Sequence, residues 1–194
     1  VVHNGIIENY AEIKKKLQFE GFVFTSETDT EVLPHLFVKY LKMGNDFLQA
    51  GKLVLEEIRG AFAFVAICLD FPDQLFVSRN SSPLAIGLGE GANFVGSDAQ
   101  SINHLTQKII YLEDGDYALI KTNGVKIFDK NSNNIDRKVI NVQSELGLIT
   151  KGGYKHFMEK EIFEQPAVIP QTISYFINNK STINIDLDKL GFKK

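Results

Sequence analysis

Nine consecutive apolar residues, Ala61-Phe62-Ala63-Phe64-Val65-Ala66-Ile67-Cys68-Leu69, set the tightest limit on how this chain can fold. A strand with one face in water alternates apolar with polar side chains, and this run does not alternate. It therefore reads as a central strand covered on both faces, and the rest of the chain must supply the covers.

Ahead of the run the period is helical. Tyr10, Ile13 and Leu17 recur at three and four residues among Glu12, Lys14, Lys15 and Lys16, predicting an amphipathic helix ended by Gly21. Phe22-Val23-Phe24 reads as a short strand. Thr28 and Glu31 have capping-box spacing before Val32, Leu33, Leu36 and Phe37, which predicts a second helix stopping at Gly44. A third helix, capped by Asp46, carries Phe47, Leu48, Leu55 and Ile58.

Behind the run the signals are those of strands. Gln74 to Arg79, Leu84 to Leu88 and Asn93 to Gly96 suggest a meander, and Ser97-Asp98 can cap a short helix. Ile109 to Leu112, Asp116 to Lys121 and Val125 to Phe128 suggest two hairpins. Val139 to Ile149 reads as a crossing segment and Lys151-Gly152-Gly153 as a hinge. Tyr154 to Phe163 is helical, broken at Glu164-Gln165-Pro166 and resumed from Ile169 to Phe176; Asn178 to Lys194 is too polar to place. The class is α+β with a helical tail.

Composition removes several functions. A net charge of -3, without a basic block, argues against nucleic acid, and no apolar run reaches the roughly 20 residues needed to span a bilayer. One cysteine, Cys68, leaves no disulfide framework and no zinc-ligand spacing, and it fits a reducing cytoplasm. Cys68 lies within the apolar run and reads as a buried, inert thiol. The four histidines, His3, His35, His104 and His156, do not cluster. The chain opens without Met inside a strand-like run, as a fragment would.

Two short stretches carry possible chemistry. Asn4-Gly5 between apolar pairs is a strong hairpin signal, and it is also a pair of donors, an amide side chain and a backbone N–H, able to hold a developing oxyanion. Asp29 suits the first turn of the second helix by dipole alone, and it would equally suit a substrate ammonium. The residues alone leave both choices open.

A series of motifs in one order goes further: Val-Val-His-Asn-Gly-Ile-Ile-Glu-Asn, Ser-Glu-Thr-Asp-Thr-Glu-Val, Arg-Gly-Ala-Phe, Ser-Pro-Leu-Ala-Ile-Gly-Leu-Gly, Glu-Asp-Gly-Asp, and Lys-Gly-Gly-Tyr-Lys-His-Phe-Met-Glu-Lys-Glu-Ile-Phe-Glu-Gln-Pro. The series resembles the glutaminase half of the glutamine–fructose-6-phosphate aminotransferase family, nearly throughout and thinning after Gln171. The His-Asn-Gly and Thr-Asp-Thr-Glu pieces are shared more widely among class II glutamine amidotransferases. The resemblance implies an N-terminal-nucleophile hydrolase fold, a four-layer αββα sandwich. It implies a cysteine nucleophile at the mature amino terminus, an oxyanion hole at Asn4 and Gly5, and a carboxylate at Asp29 for the α-amino group of glutamine. No metal or organic cofactor is expected.

The nucleophile and the arginine that clamps the glutamine carboxylate would lie upstream of Val1. The expectation is thus an amino-terminally truncated glutaminase domain over 1–145, inactive alone and leaving a sheet edge and an apolar face uncovered, followed over 146–194 by a hinge and the opening helices of a sugar-isomerising domain. Fructose 6-phosphate would bind only through the rest of that domain, in a homodimer when intact. The rivals are another class II amidotransferase and a non-catalytic domain that binds glutamine or a partner.

Overall fold

A computed structural model describes residues 1–142, 153–179 and 182–185. Contacts divide the chain into two compact units, Val1–Ser144 and Glu145–Lys194.

In the first unit the elements run β1 (Val2–Ile7), α1 (Tyr10–Phe19), a 3-10 turn (Asp29–Glu31), α2 (Val32–Lys42), α3 (Phe47–Glu57), β2 (Gly60–Ile67), β3 (Gln74–Asn80), β4 (Ala85–Leu88), β5 (Asn93–Gly96), α4 (Ala99–Ile102), β6 (Lys108–Tyr111), β7 (Tyr117–Lys121), β8 (Gly124–Phe128), β9 (Asn134–Ile135) and β10 (Val139–Asn141). One sheet has the order β1-β2-β3-β7-β8-β9 and the other β10-β6-β4-β5, with antiparallel pairing throughout.

Alternation along the strands sorts the core into layers. From β2, Phe62, Phe64 and Ala66 join Ile13, Leu17, Leu36, Phe47 and Val54 of the helices, while Ala63 and Val65 face Leu84, Ile86 and Ile110 of the second sheet. From β3, Phe76 faces the helices and Val77 the second sheet. Ala85 and Ile109, on the outer face of that sheet, are covered by Ala99 and Ile102 of α4. The order is helices, sheet, sheet, helix: the expected αββα sandwich.

Phe76, fully buried, ties the helical layer to its sheet. Its ring lies 5.6 Å from that of Phe37, 6.0 Å from Phe64 and 5.9 Å from Tyr117, centre to centre, within the usual range for aromatic pairs. α3 packs on this ring through Gly51, where an ideal Cβ would stand 2.2 Å from Phe76 Cε2.

Several expectations are corrected. The apolar run is strand only to Ile67; Ile67 and Leu69 are 70% and 96% exposed, because the chain turns at Cys68 to Phe71 before the covers reach it. Phe22-Val23-Phe24 pairs with no strand; Phe22 and Phe24 instead pack on the His35 ring, at 5.4 and 4.4 Å between centres. Of the meander only the second half forms, β4 pairing with β5, and the first hairpin does not form, since β3 and β7 belong to one sheet and β4, β5 and β6 to the other. Asp46 and Asp98 cap α3 and α4 as expected, accepting from the Gln49 and Ser101 amides. The edge strand β1 leaves Val2 and Ile6 75% and 63% exposed, so an apolar face is open there.

In the second unit, α5 (Phe157–Phe176) runs through Pro166 and Pro170 without the expected break. The two missing N–H donors are four residues apart and so fall on one side of the helix. The extension is not wholly helical: β11 (Ile177–Asn179) and β12 (Thr182–Ile185) pair antiparallel. Part of the crossing segment, 143–149, and the first two hinge residues lie outside the described residues. Among the described residues no helix is long and apolar enough to cross a membrane.

Gly51→Ala tests the close packing on Phe76. Although alanine is the better helix former, overpacking should cost about 1–3 kcal/mol of unfolding free energy in urea denaturation.

Candidate functional site

β1 sits at the edge of the six-stranded sheet, fixed by its register with β2: Val2 opposite Val65, Asn4 opposite Ala63, Gly5 opposite Phe62 and Ile7 opposite Gly60. Asn4-Gly5 therefore lies inside a strand, and the hairpin reading is overturned by nonlocal pairing. Gly5 has φ +121°, and an ideal Cβ there would stand 2.1 Å from the Ala61 carbonyl oxygen. Only glycine lets the two strands approach so closely.

Asn4 is exposed, and its side chain makes no hydrogen bond among the described residues. It lines a cleft of about 340 Å³ with Val2, His3, Ala63, Leu84 and Val95, at the open end of the inter-sheet core. An unspent amide at the mouth of a cleft is free to meet a ligand.

Asp29 reaches the same strand by a different route. It lies in the 3-10 turn before α2, where its Oδ2 accepts the Ile7 N–H at 2.7 Å. A second tether joins His3 Nδ1 to Thr30 Oγ1 at 2.9 Å. Burial lowers the pKa of His3 and so favours a neutral ring, against the opposing pull of the negative charge of Asp29. The turn is thus tied to both ends of β1, bringing Asp29 alongside the strand of Asn4 and Gly5. Asp29 does not line the cleft that holds Asn4.

The capping box does not form, for Thr28 makes no side-chain cap. The Glu31 carboxylate instead accepts from the Thr25 and Ser26 amides, each at 2.7 Å, and from both hydroxyls. Those bonds hold the Glu31 pKa down, to about 2. His3, Glu31 and Asn9 are the residues that sequence reasoning missed as supports of the site. Asn9 donates to the Glu57 carbonyl and accepts from the Arg59 amide at 2.8 and 2.9 Å, binding the end of β1 to the start of β2. Only the Ser and Thr around Glu31 hinted at this, because the other partners are remote in sequence.

Cys68 is far from Asn4. Ala63 stands opposite Asn4, and five residues of extended chain separate it from Cys68, roughly 16 Å at about 3.3 Å per residue. Among the described residues no three His, Cys, Asp or Glu side chains converge as a metal site.

The geometry sits on a recognisable frame. The glutamine amidotransferase domain family matches residues 1–104, more than half of the chain. The chain belongs to that family. Curated relatives named glutamine–fructose-6-phosphate aminotransferase (isomerizing) match well beyond residue 104. The one from Fusobacterium nucleatum is 45% identical over 186 residues, 96% of this chain and 30% of the relative, and that from Brucella abortus is 42% identical over 196 residues, 98% and 32%. The chain thus spans about a third of the length of these relatives. Among solved structures, the glutamine phosphoribosylpyrophosphate amidotransferase from B. subtilis, complexed with ADP and GMP, matches with TM-score 0.58 and 26% identity, covering 69% of this chain and 29% of that one. A structure described as the allosteric regulatory enzyme of purine biosynthesis matches with TM-score 0.54 and 27% identity, over 68% and 28%. The amidotransferase domain accordingly has the N-terminal-nucleophile hydrolase sandwich that the motifs implied.

Glu31 gives the turn beside Asp29 a defined acid response. A depressed carboxylate stabilises the fold fully above its unfolded value near 4.5, and that contribution is lost as pH falls toward about 2. Carboxyl-resolved NMR titration should place the Glu31 midpoint near 2, and Glu31→Ala, which removes both acceptor oxygens, should unprotect the Thr25 and Ser26 amides at every pH.

Proposed function

We propose that this domain is the glutaminase part of a glutamine–fructose-6-phosphate aminotransferase, releasing ammonia from the glutamine side chain for glucosamine 6-phosphate synthesis. The observation that carries the reading is the extent of similarity: the aminotransferases match at 42–45% identity over 96–98% of the chain, against 26% over 69% for the phosphoribosylpyrophosphate enzyme. The region from Lys151 to Pro166, which the other class II enzymes are not expected to share, lies within the longer matches.

In this reading Asn4 and Gly5 donate to the oxyanion that forms when the amide carbonyl is attacked. The free Asn4 amide on the cleft wall and the sterically enforced glycine beside it support the role. Asp29 receives the ammonium of glutamine through the carboxylate oxygen that Ile7 does not occupy. The nucleophile is a cysteine outside residues 1–194, since Cys68 is too remote, and attack forms a glutamyl thioester that water hydrolyses. Residues 146–194 open a sugar-isomerising domain, and fructose 6-phosphate and a homodimer interface belong to the intact protein, which works in the cytoplasm.

The test measures ammonia release from glutamine. The 194-residue chain alone should release none, and the same chain joined to a cysteine-headed amino-terminal segment of the family should be active. In that active form Asn4→Ala should lower kcat by about 10²-fold or more with a smaller change in KM. Unchanged turnover would remove Asn4 from the oxyanion role. Asp29→Asn keeps an oxygen for the Ile7 N–H but loses the charge, so KM for glutamine should rise about tenfold or more. A normal KM for that variant would sink the assignment.

A further inference from the structure

A second cleft, separate from the residues assigned above, opens on the helical side of the six-stranded sheet. It has a volume of about 250 Å³ and is walled by Lys52 and Glu56 of α3, by Arg59 just beyond it, and by Lys130 and Ser132 of the loop after β8, with Tyr117 among its lining. Lys52, Arg59 and Lys130 form no ion pair among the described residues. Arg79 also lines the cleft, but its guanidinium is taken up by the Leu112 carbonyl at 2.8 Å and by Asp114 at 2.6 Å.

We propose that this cleft binds the dianionic phosphate group of a small phosphorylated metabolite. Three unpaired cations, two from α3 and its end and one from the loop after β8, meet on one cavity in a chain whose net charge is -3, so a generally basic surface does not account for them. Set against the one carboxylate in the wall, Glu56, they leave two positive charges, the complement of a phosphate dianion. The cavity lies below the roughly 300–1,000 Å³ of ordinary ligand pockets, which suits a small ester or free phosphate better than a nucleotide.

The loop is built to hold its position without the ligand. The Asp129 carboxylate accepts the Asn131 and Asn133 amides at 2.8 and 2.9 Å, and Ser132 is fixed in the left-handed region at φ 64°. The loop also closes on Gly115, where an ideal Cβ would stand 2.9 Å from that of Lys130. Lys130 and Ser132 are therefore presented by a rigid turn, which lowers the ordering cost of binding.

The experiment is calorimetric titration of the 194-residue chain with inorganic phosphate, glycerol phosphate and a hexose phosphate, with sodium chloride as the ionic-strength control. No glutamine is present, so the outcome is independent of the amidotransferase reading. Saturable binding is expected, weakened about tenfold or more by Lys52→Gln with Lys130→Gln and strengthened by Glu56→Gln. Esters binding more tightly than inorganic phosphate would identify a phosphorylated metabolite, and equal binding free phosphate. These side chains carry no packing core, and an unchanged thermal midpoint would show that the variants are folded. The proposal is overturned by no saturable binding at millimolar phosphate. It is equally overturned if Lys15→Gln with Lys16→Gln, on α1 away from the cleft, weakens binding as much.

Discussion

Two-sided burial of β2 is the constraint on which the first unit depends. Its odd and even side chains enter different cores, the phenylalanines meeting the helices and Ala63 and Val65 meeting the second sheet. A strand buried on both faces has to lie between two layers, and the small residues on one side let the second sheet come close while the large rings on the other reach Phe76 and Phe37. The candidate site inherits this order. β1 can be placed only by pairing with β2, and its pairing puts Asn4 on the inter-sheet side, opposite Ala63.

Polar side chains then hold what packing alone leaves loose. Segment 25–31 has no strand partner, and it is shaped by carboxylates: Glu31 gathers two backbone amides and two hydroxyls, and Asp29 takes the Ile7 N–H. Where the strands return toward the second sheet, buried Asp116 accepts two bonds from Arg137 and the Glu113 amide. Unpaired, such a buried charge would cost several kcal/mol, so this pairing is what makes Asp116 tolerable at the buried end of an otherwise exposed Glu-Asp-Gly-Asp turn. The same turn uses Asp114 to hold Arg79, leaving Lys52, Arg59 and Lys130 as the unpaired cations of the second cleft.

Much of this was legible one residue at a time. Asp46 and Asp98 announced their helices because a cap bonds only to the next turn, and the period of Tyr10, Ile13 and Leu17 needs no distant partner. Phe22 and Phe24 misled because β-branched and aromatic runs look alike whether they pair or pack on a ring such as His35. The capping box misled because Glu31 found better donors at Thr25 and Ser26 than at its own helix end. Of the site, the order of motifs indicated Asn4, Gly5 and Asp29; what ties them together was not visible.

The sequence by itself determined the apolar strand and its need for two covers, the helices before it and the family of the domain, because local period, capping and motif order survive without coordinates. Tertiary structure alone decided which strands share a sheet, that Asn4-Gly5 is strand and not turn, and that Asp29 is bound to Ile7. Each of these rests on hydrogen bonds between residues tens of positions apart, backbone to backbone for Gly5 opposite Phe62 and backbone to side chain for Ile7 and Asp29, and those carry no local mark in the chain. The same holds for the second cleft, where the fold alone brings Lys130 to Lys52 and Arg59, more than seventy positions earlier.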